Sequence, residues 1–577
     1  MRLSYWDYEG TCHTGVGRIA ASMKRVHMVS HSPQGDDYIN NMHTMIGRQP
    51  GWPPMSTSVI DRLTLGNGEV NLPKALEEAI LHDAPDLALI TRTCSASLLQ
   101  EDLDALAHTA QIGDTRVVTY TPSPFRVQEN QAADEVFTLL VKRFAVSQTP
   151  TPAPTVNILG PSAMGFHSRD DLISLRRMLV ALGVGVNVVA PDGAGLDDLA
   201  RLPAAWVTVA PYLELGTRAA ESLEKQFGVP ALTRPPIGLR ATLAWLRDLI
   251  ALLNERGAAF GVAARVTMPP LAAFSLDGLS QPTELPFFVR SADMQSFANK
   301  RVVIFGDATH ALHVARFCAT EIGMQVLLAG TYSEDWGDHF LREVAPHTEE
   351  TLVTREFPLV AEAIDRLQPD LVLGTQMERH TARRHDIAAT TISAPFHIED
   401  NALGYHPFLG FDGVNTLADR IYHTAKLGLE KHLIEMFGDA GLRTYEQEGR
   451  SDATTVAPAF DAVVSTPQPP SRGGGERHSE VREPALAGVG ASVGAGVGVN
   501  AAEQMNIAVP EVRREKAPEP AVSDGVVVWT DDAQALMGKI PKFVRGRVTR
   551  NTEKYARERG YTEITAAVLN EARAALS

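Results

Sequence analysis

Short, nearly continuous apolar runs recur through the chain up to about residue 447 and alternate with amphipathic segments. Continuous apolar runs are typical of parallel strands that are buried on both faces. In the intervening segment 170–182, apolar residues recur at helical spacing after two acidic residues. This strand–helix repetition predicts an α/β fold of doubly wound units with parallel sheets. The predicted strands are residues 26–30, 87–93, 116–120, 155–159, 184–189, 206–210, 301–305, 325–329, 371–374 and 390–394.

The predicted strands form three groups, separated by proline-rich sequence at 148–154 and near Met268. Each group contains enough strands and helices for one Rossmann-like unit. We therefore predict three Rossmann-like subdomains in one body, covering residues 1–149, 150–295 and 296–448.

The composition changes after this body. Residues 449–525 are rich in Pro, Gly, Ala and Ser, with little periodicity, and are predicted to form a disordered linker. Residues 526–577 are predicted to form a small helical C-terminal domain. Its basic run at 539–550 has two interpretations: a solvated face, or a surface that docks on an acidic partner or on the acidic body of this chain.

Charge and hydrophobicity exclude some functions. The formal net charge of −16 argues against broad, non-specific binding of nucleic acid, which needs a basic surface. No apolar run is long enough for a membrane span, and the first residues lack the pattern of a signal peptide. We therefore expect a cytoplasmic protein without a membrane span.

The cysteine content limits the metal chemistry. Cys12, Cys94 and Cys318 are the three cysteines, and they are far apart in sequence. A cubane iron–sulfur cluster usually takes four thiolate ligands. This chain is therefore not expected to hold such a cluster conventionally by itself.

Motifs of self-sufficient catalysis are missing from the sequence. There is no G-x-x-x-x-G-K-[ST] loop for ATP, no G-x-G-x-x-G after a strand of the body, no G-x-S-x-G elbow and no H-E-x-x-H pair. The pattern favours a scaffold around a cofactor or substrate supplied from elsewhere. Ligands of open α/β sheets bind beyond the carboxyl ends of strands. The loops of interest are 32–37, 93–97, 160–167, 306–310, 374–380 and 395–399.

Ordered motifs along the chain resemble those of the B subunits of light-independent (dark-operative) protochlorophyllide reductases, a nitrogenase-like family. The most specific is G-T-Q-M-E-R-H at 374–380. The resemblance covers everything except the linker. The other motifs are W-x-Y-E-G at 6–10, H-S-P-Q-G-D-D at 31–37, N-I-L-G-P at 157–161, F-G-D-A-T-H at 305–310, I-S-A-P-F-H at 392–397, G-F-D-G-V-N at 410–415, L-G-L-E at 427–430, W-T-D at 529–531 and I-P-K-F-V-R at 540–545.

The resemblance implies an enzyme of chlorophyll and bacteriochlorophyll biosynthesis. Two N and two B subunits would form a heterotetramer. An ATP-hydrolysing, iron-protein-like L subunit dimer would feed it single electrons, so ATP would be bound by that partner. The reaction would be reduction of the C17=C18 double bond in the D ring of protochlorophyllide. A [4Fe-4S] cluster at the N–B interface would take three cysteines from N and one aspartate from B, which corresponds to Asp36 here.

Three acidic or basic side chains are therefore singled out. Without the resemblance, a helix N-cap is the better interpretation of Asp36, and a solvated loop carboxylate is the better one for Asp293. With it, Asp36 is the predicted cluster ligand and Asp293 the predicted proton donor. His397 is predicted to position the substrate or relay protons. His310 and His380, also near predicted strand ends, are equally well explained as structural histidines.

The substrate-binding turn is predicted at Leu427, Gly428 and Leu429. A glycine there would let the backbone approach a planar tetrapyrrole closely, although ordinary core packing explains the same residues. Cys94 falls close to a cysteine of nitrogenase-type relatives. Because Asp36 would fill the fourth ligand position, we interpret Cys94 as a neighbour of the cluster or a core residue.

Two other functions remain open at this point. One is a subunit of the related chlorophyllide oxidoreductase, which the aspartate at position 36 and the C-terminal domain disfavour. The other is a non-catalytic nitrogenase-like scaffold for metallocofactor assembly. Such a scaffold would share the three-subdomain body but would not need Asp293 and His397 together.

Overall fold

The computed structural model divides the chain into two compact units, residues 1–455 and 456–577. The parts of the chain that it describes are residues 9–36, 52–60, 71–123, 126–263, 265–291, 297–298, 300–396 and 403–425, with isolated stretches between 528 and 571. The predicted linker at 449–525 lies outside the described residues.

Three parallel sheets form the first unit. The first has the order β2-β1-β3-β4, the second β6-β5-β7-β8 and the third β11-β10-β9-β12-β13, and every strand pair is parallel. The strands are β1 (Val26–Pro33), β2 (Met55–Ile60), β3 (Leu87–Arg92), β4 (Arg116–Thr119), β5 (Thr155–Leu159), β6 (Gly185–Ala190), β7 (Val207–Val209), β8 (Ala231–Leu232), β9 (Arg301–Gly306), β10 (Gln325–Thr331), β11 (Glu350–Val353), β12 (Leu371–Gly374) and β13 (Ala388–Thr391).

Helices connect the strands, as parallel pairing requires. The helices of the described residues are α1 (Cys12–Ser22), α2 (Asn71–Asp83), α3 (Leu103–Ala107), α4 (Glu129–Phe144), α5 (Ser168–Ala181), α6 (Leu196–Arg201), α7 (Thr217–Phe227), α8 (Leu239–Ala259), α9 (Leu285–Phe288), α10 (Ala308–Phe317), α11 (Gly337–Val344), α12 (Phe357–Leu367), α13 (Gln376–Arg384) and α14 (Gly410–Ala425). None of these helices is both long and apolar enough to cross a membrane.

The hydrophobic cores join the three sheets. One core runs from the first sheet and α4 to the second sheet and α7, through residues such as Phe137 and Leu223. A larger core joins the second and third sheets through Trp245, Phe317 and Phe408. Because the sheets share these buried residues, they form one body, as the sequence predicts.

The α/β fold with parallel sheets is confirmed, and each predicted subdomain range contains one sheet. The exact boundaries between subdomains remain predictions. Strands β5 and β12 have the predicted bounds. The prediction for β13 was displaced, since the strand ends at Thr391 and residues 392–394 lie beyond it. Strands β2, β8 and β11 were not predicted.

The second unit contains strands as well as helical residues. Val528–Trp529 (β14) pairs in parallel with Glu563–Ile564 (β15), and the Thr530 hydroxyl donates a hydrogen bond to the Ile564 carbonyl at 2.9 Å. The helical residues that follow β15 begin at Ala566. Ile564 is buried together with Ala533, Ala556 and Val568.

Candidate functional site

Asp36 lies just beyond the carboxyl end of β1, in a turn that follows Pro33. Gly35 has a φ of +101°, a backbone conformation that residues with a side chain rarely adopt. A Cβ at Gly35 would meet no atom within 4 Å, so this φ, not steric crowding, accounts for the glycine. The turn leaves the Asp36 side chain half-buried at the edge of the first sheet.

The loop after β3 meets Asp36. Strands β1 and β3 are adjacent and parallel, so their carboxyl ends lie at the same edge, and the Thr93 amide extends the pairing by donating to the His31 carbonyl at 3.1 Å. Beyond this point the Ser95 hydroxyl donates to Asp36 Oδ2 at 2.8 Å. The parallel register therefore joins two residues that are 59 positions apart in sequence.

The start of α1 contributes His13 to the same place. The His13 ring is buried, and Thr11 Oγ1 lies 2.9 Å from its Nδ1. Burial lowers the pKa of His13 to about 4, although the nearby Asp36 carboxylate opposes this change. His13 is therefore neutral at neutral pH.

Two of the three cysteines meet near Asp36. The thiols of Cys12 and Cys94 are hydrogen-bonded, Cys12 is buried and Cys94 is half-buried. The hydrogen bond from Cys12 lowers the pKa of Cys94 to about 7, while burial and the Asp36 charge act in the opposite direction. The same hydrogen bond, together with burial, raises the pKa of Cys12 well above its usual value. Cys318 is buried in the third subdomain, away from this group.

The residues around Asp36 fit a metal cluster that a second subunit helps to bind better than a cluster that this chain binds alone. Within the described residues, no group of three or more His, Cys, Asp and Glu side chains could hold a metal ion. Asp36 offers one carboxylate at a sheet edge, with Cys94 and Ser95 beside it. A partner that supplies the other ligands would complete the site.

A second polar group lies between the second and third sheets. Asp307 follows β9 and caps α10, because its carboxylate accepts a hydrogen bond from the His310 amide at 2.6 Å. The same carboxylate lies 2.8 Å from His310 Nδ1. Glu214, beyond β7, accepts hydrogen bonds from the amide and the hydroxyl of Thr309, at 3.0 and 2.5 Å. Glu214 and Asp307 therefore both satisfy the start of α10.

Burial and neighbouring charges shift the pKa values of His310, Glu214 and Asp307 in different directions. Burial disfavours the charged form of His310, but the charge and hydrogen bond of Asp307, together with the charges of Asp171 and Glu214, outweigh it and raise the pKa of His310. Burial and the nearby Asp307 charge raise the pKa of Glu214 to about 7. Asp307 itself is held ionised by His310 despite its burial, so its pKa lies below the usual range. The group contains an ion pair beside a carboxyl that ionises near neutral pH.

Aromatic rings enclose this group. The Phe166 ring centroid lies 5.3 Å from that of His310 and 5.4 Å from that of Phe396. On the other side, the Tyr212 hydroxyl donates to Asp171 Oδ2 at 2.6 Å, and Asp171 also accepts the amide of Phe408 at 2.6 Å. His310 is thus buried and held through Nδ1 by Asp307, whereas its Nε2 has no hydrogen-bond partner among the described residues.

The motif at 374–380 has a local structural explanation. Thr375 caps α13, and the Glu378 carboxylate accepts hydrogen bonds from the amide and hydroxyl of Thr375 at 2.7 and 2.6 Å. Glu378 also accepts a hydrogen bond from the Tyr332 hydroxyl. His380, in contrast, is exposed on α13.

The predicted catalytic and substrate-binding residues are not described by the structure. Asp293, His397, Leu427, Gly428 and Leu429 all lie outside the described residues, and their roles remain predictions. The backbone that precedes His397 is described: Ser393 bonds to Asp307 at 2.8 Å and Phe396 packs on Phe166.

Sequence reasoning missed three residues near Asp36, namely Ser95, His13 and Cys12. Ser95 falls in the loop 93–97, which was singled out because it follows a strand. No local signal indicates that this loop reaches Asp36, since that depends on the pairing of β1 with β3. His13 and Cys12 come from the start of α1.

Comparisons with known proteins identify the family. A family model for nitrogenase component 1 type oxidoreductases matches residues 11–426, and one for the proto-chlorophyllide reductase 57 kD subunit matches residues 529–573. Relatives named as the B subunit of light-independent protochlorophyllide reductase include those of Chloroflexus aggregans, 49% identical over 99% of this chain and 98% of that protein, and Chlorobium limicola, 46% identical over all of both. This chain belongs to that family. The resemblance seen in its motifs is thereby confirmed.

The family assignment agrees with the fold. A solved structure titled "Nitrogenase Cp1 at pH 6.5" matches with a TM-score of 0.60 and covers 75% of this chain and 95% of its own chain. The sequence identity is 18%, so this likeness concerns the fold alone. The three-sheet body is the nitrogenase component 1 fold.

Proposed function

We propose that this chain is the B subunit of an ATP-dependent, light-independent protochlorophyllide reductase. The reaction adds two electrons and two protons across the C17=C18 bond of the D ring and gives chlorophyllide a. The observation that carries this proposal is the match over the full chain, including the C-terminal segment, to relatives with that name.

Asp36 is the proposed protein ligand from this chain to a [4Fe-4S] cluster shared with an N subunit. The cluster, when bound, passes electrons one at a time. The carboxylate is a harder ligand than the thiolate it would replace, and ligand type is one determinant of cluster potential.

Asp293 is the proposed proton donor, and His397 positions the substrate or relays protons. A carboxyl group held protonated beside a pyrrole ring can deliver a proton to carbon. Leu427, Gly428 and Leu429 are proposed to contact the macrocycle. The hydrogen bonds of Ser393 and the packing of Phe396 support this assignment in one respect, because they give the residue before His397 a fixed position.

The proposed assembly is an N2B2 heterotetramer in the cytoplasm, served by an ATP-hydrolysing L subunit dimer. The sequence contains no phosphate-binding loop of its own, which agrees with ATP hydrolysis in that partner. The basic run at 539–550 stays open to the interpretations given above.

The cluster assignment can be tested on the complex with the N subunit, purified without oxygen. Iron content and the electron paramagnetic resonance spectrum of the reduced complex are compared for wild type and Asp36→Ala. Loss or alteration of a cubane signal in the variant supports the shared site. A wild-type spectrum in Asp36→Ala would return Asp36 to a structural role, and a wild-type complex without iron would contradict the reductase assignment.

Catalysis is tested separately from cluster binding. Reduction of protochlorophyllide by the complete system is measured for Asp293→Ala and for Asp277→Ala. Asp277 is a suitable control because it is an exposed loop carboxylate whose hydrogen bonds, to Ser275, Leu279 and Ser280, are local. Loss of turnover in Asp293→Ala alone, with the cluster signal intact, supports the proton donor. An assembled, iron-loaded wild type without turnover would favour a metallocofactor scaffold.

A further inference from the structure

One oxygen of the Asp36 carboxylate has a hydrogen-bond partner in the loop after β3. Oδ2 accepts the hydroxyl of Ser95 at 2.8 Å. Ser95 immediately precedes the short helical turn Ala96–Leu99, in the loop that follows β3. The hydroxyl therefore reaches Asp36 from a separate segment of the chain, whose position is fixed by the pairing of β3 with β1.

This contact has two physical consequences for a carboxylate that binds a metal. It restrains the rotation of the Asp36 side chain at the carboxyl end of β1. It also withdraws electron density from the carboxylate, because a hydrogen bond donated to an anionic ligand stabilises its negative charge. Hydrogen bonds to the ligands of an iron–sulfur cluster are among the features that set its reduction potential.

The neighbouring hydroxyl of Ser97 behaves differently. It donates to the Thr93 carbonyl at 3.1 Å, within its own turn. The two serines of this turn thus have different partners. Ser95 donates to the proposed cluster ligand, and Ser97 donates to the local backbone. The contact of Ser95 is therefore not a general consequence of having hydroxyls in this loop.

We propose that Ser95 is a positioning residue for the cluster: its hydroxyl holds Asp36 through Oδ2 and leaves Oδ1 as the oxygen available to iron. This inference rests on the proposed function, because it takes Asp36 as a ligand. Removal of the hydroxyl makes the carboxylate a stronger electron donor. A stronger donor favours the oxidised cluster, so the midpoint potential moves to more negative values.

The experiment is a redox titration of the complex with the N subunit, followed by electron paramagnetic resonance and accompanied by iron analysis. Ser95→Ala is compared with Ser95→Thr, which keeps a hydroxyl, and with Ser97→Ala, which removes the neighbouring one. We expect a more negative midpoint potential and altered g-values in Ser95→Ala alone. Loss of iron in Ser95→Ala, with assembly intact and Ser95→Thr like wild type, supports the same role.

Two results would overturn the inference. One is a Ser95→Ala complex with the wild-type potential and spectrum; the other is an equal shift in Ser95→Ala and Ser97→Ala, which would attribute the effect to the turn. Asp36→Ala separates this failure from that of the proposed function. If Asp36→Ala alters the cluster and Ser95→Ala does not, only the inference fails; if Asp36→Ala leaves the spectrum unchanged, the ligand assignment itself fails.

Discussion

The Ser393 hydroxyl bridges two atoms of Asp307: it lies 2.8 Å from the carboxylate Oδ2 and 2.8 Å from the backbone nitrogen. Ser393 follows β13, and Asp307 lies between β9 and α10. Gly306 makes room for this contact, since a Cβ there would lie 2.6 Å from the Cβ of Ser393. The segment that leads to His397 is thereby fixed to the start of α10.

Ser393→Ala is expected to destabilise the body by roughly 1–3 kcal/mol, because it leaves the buried amide of Asp307 without its acceptor. The measurement is urea unfolding followed by fluorescence. Thr320→Ala is the control, since its hydroxyl donates at an exposed position to the Arg316 carbonyl in the same helical segment. Equal shifts of the two midpoints would contradict the bridging role of Ser393.

Glu214 is expected to make stability depend on pH. In the folded chain burial and Asp307 raise its pKa to about 7, whereas an unfolded glutamate titrates near about 4.3. The folded state therefore binds more protons between these values, and the contribution of Glu214 to the free energy of unfolding falls as the pH rises. The Glu214→Gln variant stays neutral and lacks this decrease.

The test compares urea unfolding of wild type and Glu214→Gln from pH 5 to 8. We expect the stability of the variant relative to wild type to increase up to about pH 7 and then to level off. Glu224→Gln, which removes an exposed carboxylate of α7, is the matched control. A flat difference for Glu214→Gln would mean that Glu214 is already ionised at pH 5.

The sequence predicted the central strands well because burial on both faces leaves a continuous apolar run. Strands β5 and β12 have the predicted bounds, and both are inner strands. The three strands that it missed, β2, β8 and β11, are all edge strands. Edge strands are paired on one side only and are shorter or partly exposed, as in Glu350–Val353. Their sequences therefore contain shorter apolar runs that are harder to recognise.

The candidate site was predicted only in part, for a related reason. The sequence indicates where strands end, and it therefore predicted that the loops containing Asp36 and Ser95 are of functional interest. It does not indicate which strands are neighbours, and the contact between these residues depends on the adjacency of β1 and β3. The approach of Cys12 to Cys94 likewise depends on the tertiary position of α1.

Cys94→Ala is expected to retain the iron content and spectrum of the wild-type complex, because we interpret Cys94 as a neighbour of the cluster and Asp36 as the ligand. The measurement is iron analysis with electron paramagnetic resonance, and Cys318→Ala, at a cysteine buried in the third subdomain, is the control. Loss of the cluster in Cys94→Ala, with assembly unchanged, would make Cys94 a ligand.

Gly35→Ala is expected to weaken the cluster through the backbone alone. The φ of +101° at Gly35 is unfavourable for alanine and costs about 1–2 kcal/mol or more, whereas the added Cβ would touch nothing within 4 Å. The turn can relieve this strain by changing its conformation, and that change moves Asp36 relative to Ser95.

Gly113→Ala provides the matched control. Gly113 also has a positive φ, +55°, and open space around its Cβ. It precedes β4, however, and so lies at the end of the first sheet opposite to Asp36. Iron content and thermal stability of the complex with the N subunit are measured for both variants. We expect both to lose some stability and only Gly35→Ala to lose iron; equal retention of iron would mean that Asp36 does not depend on the turn for its position.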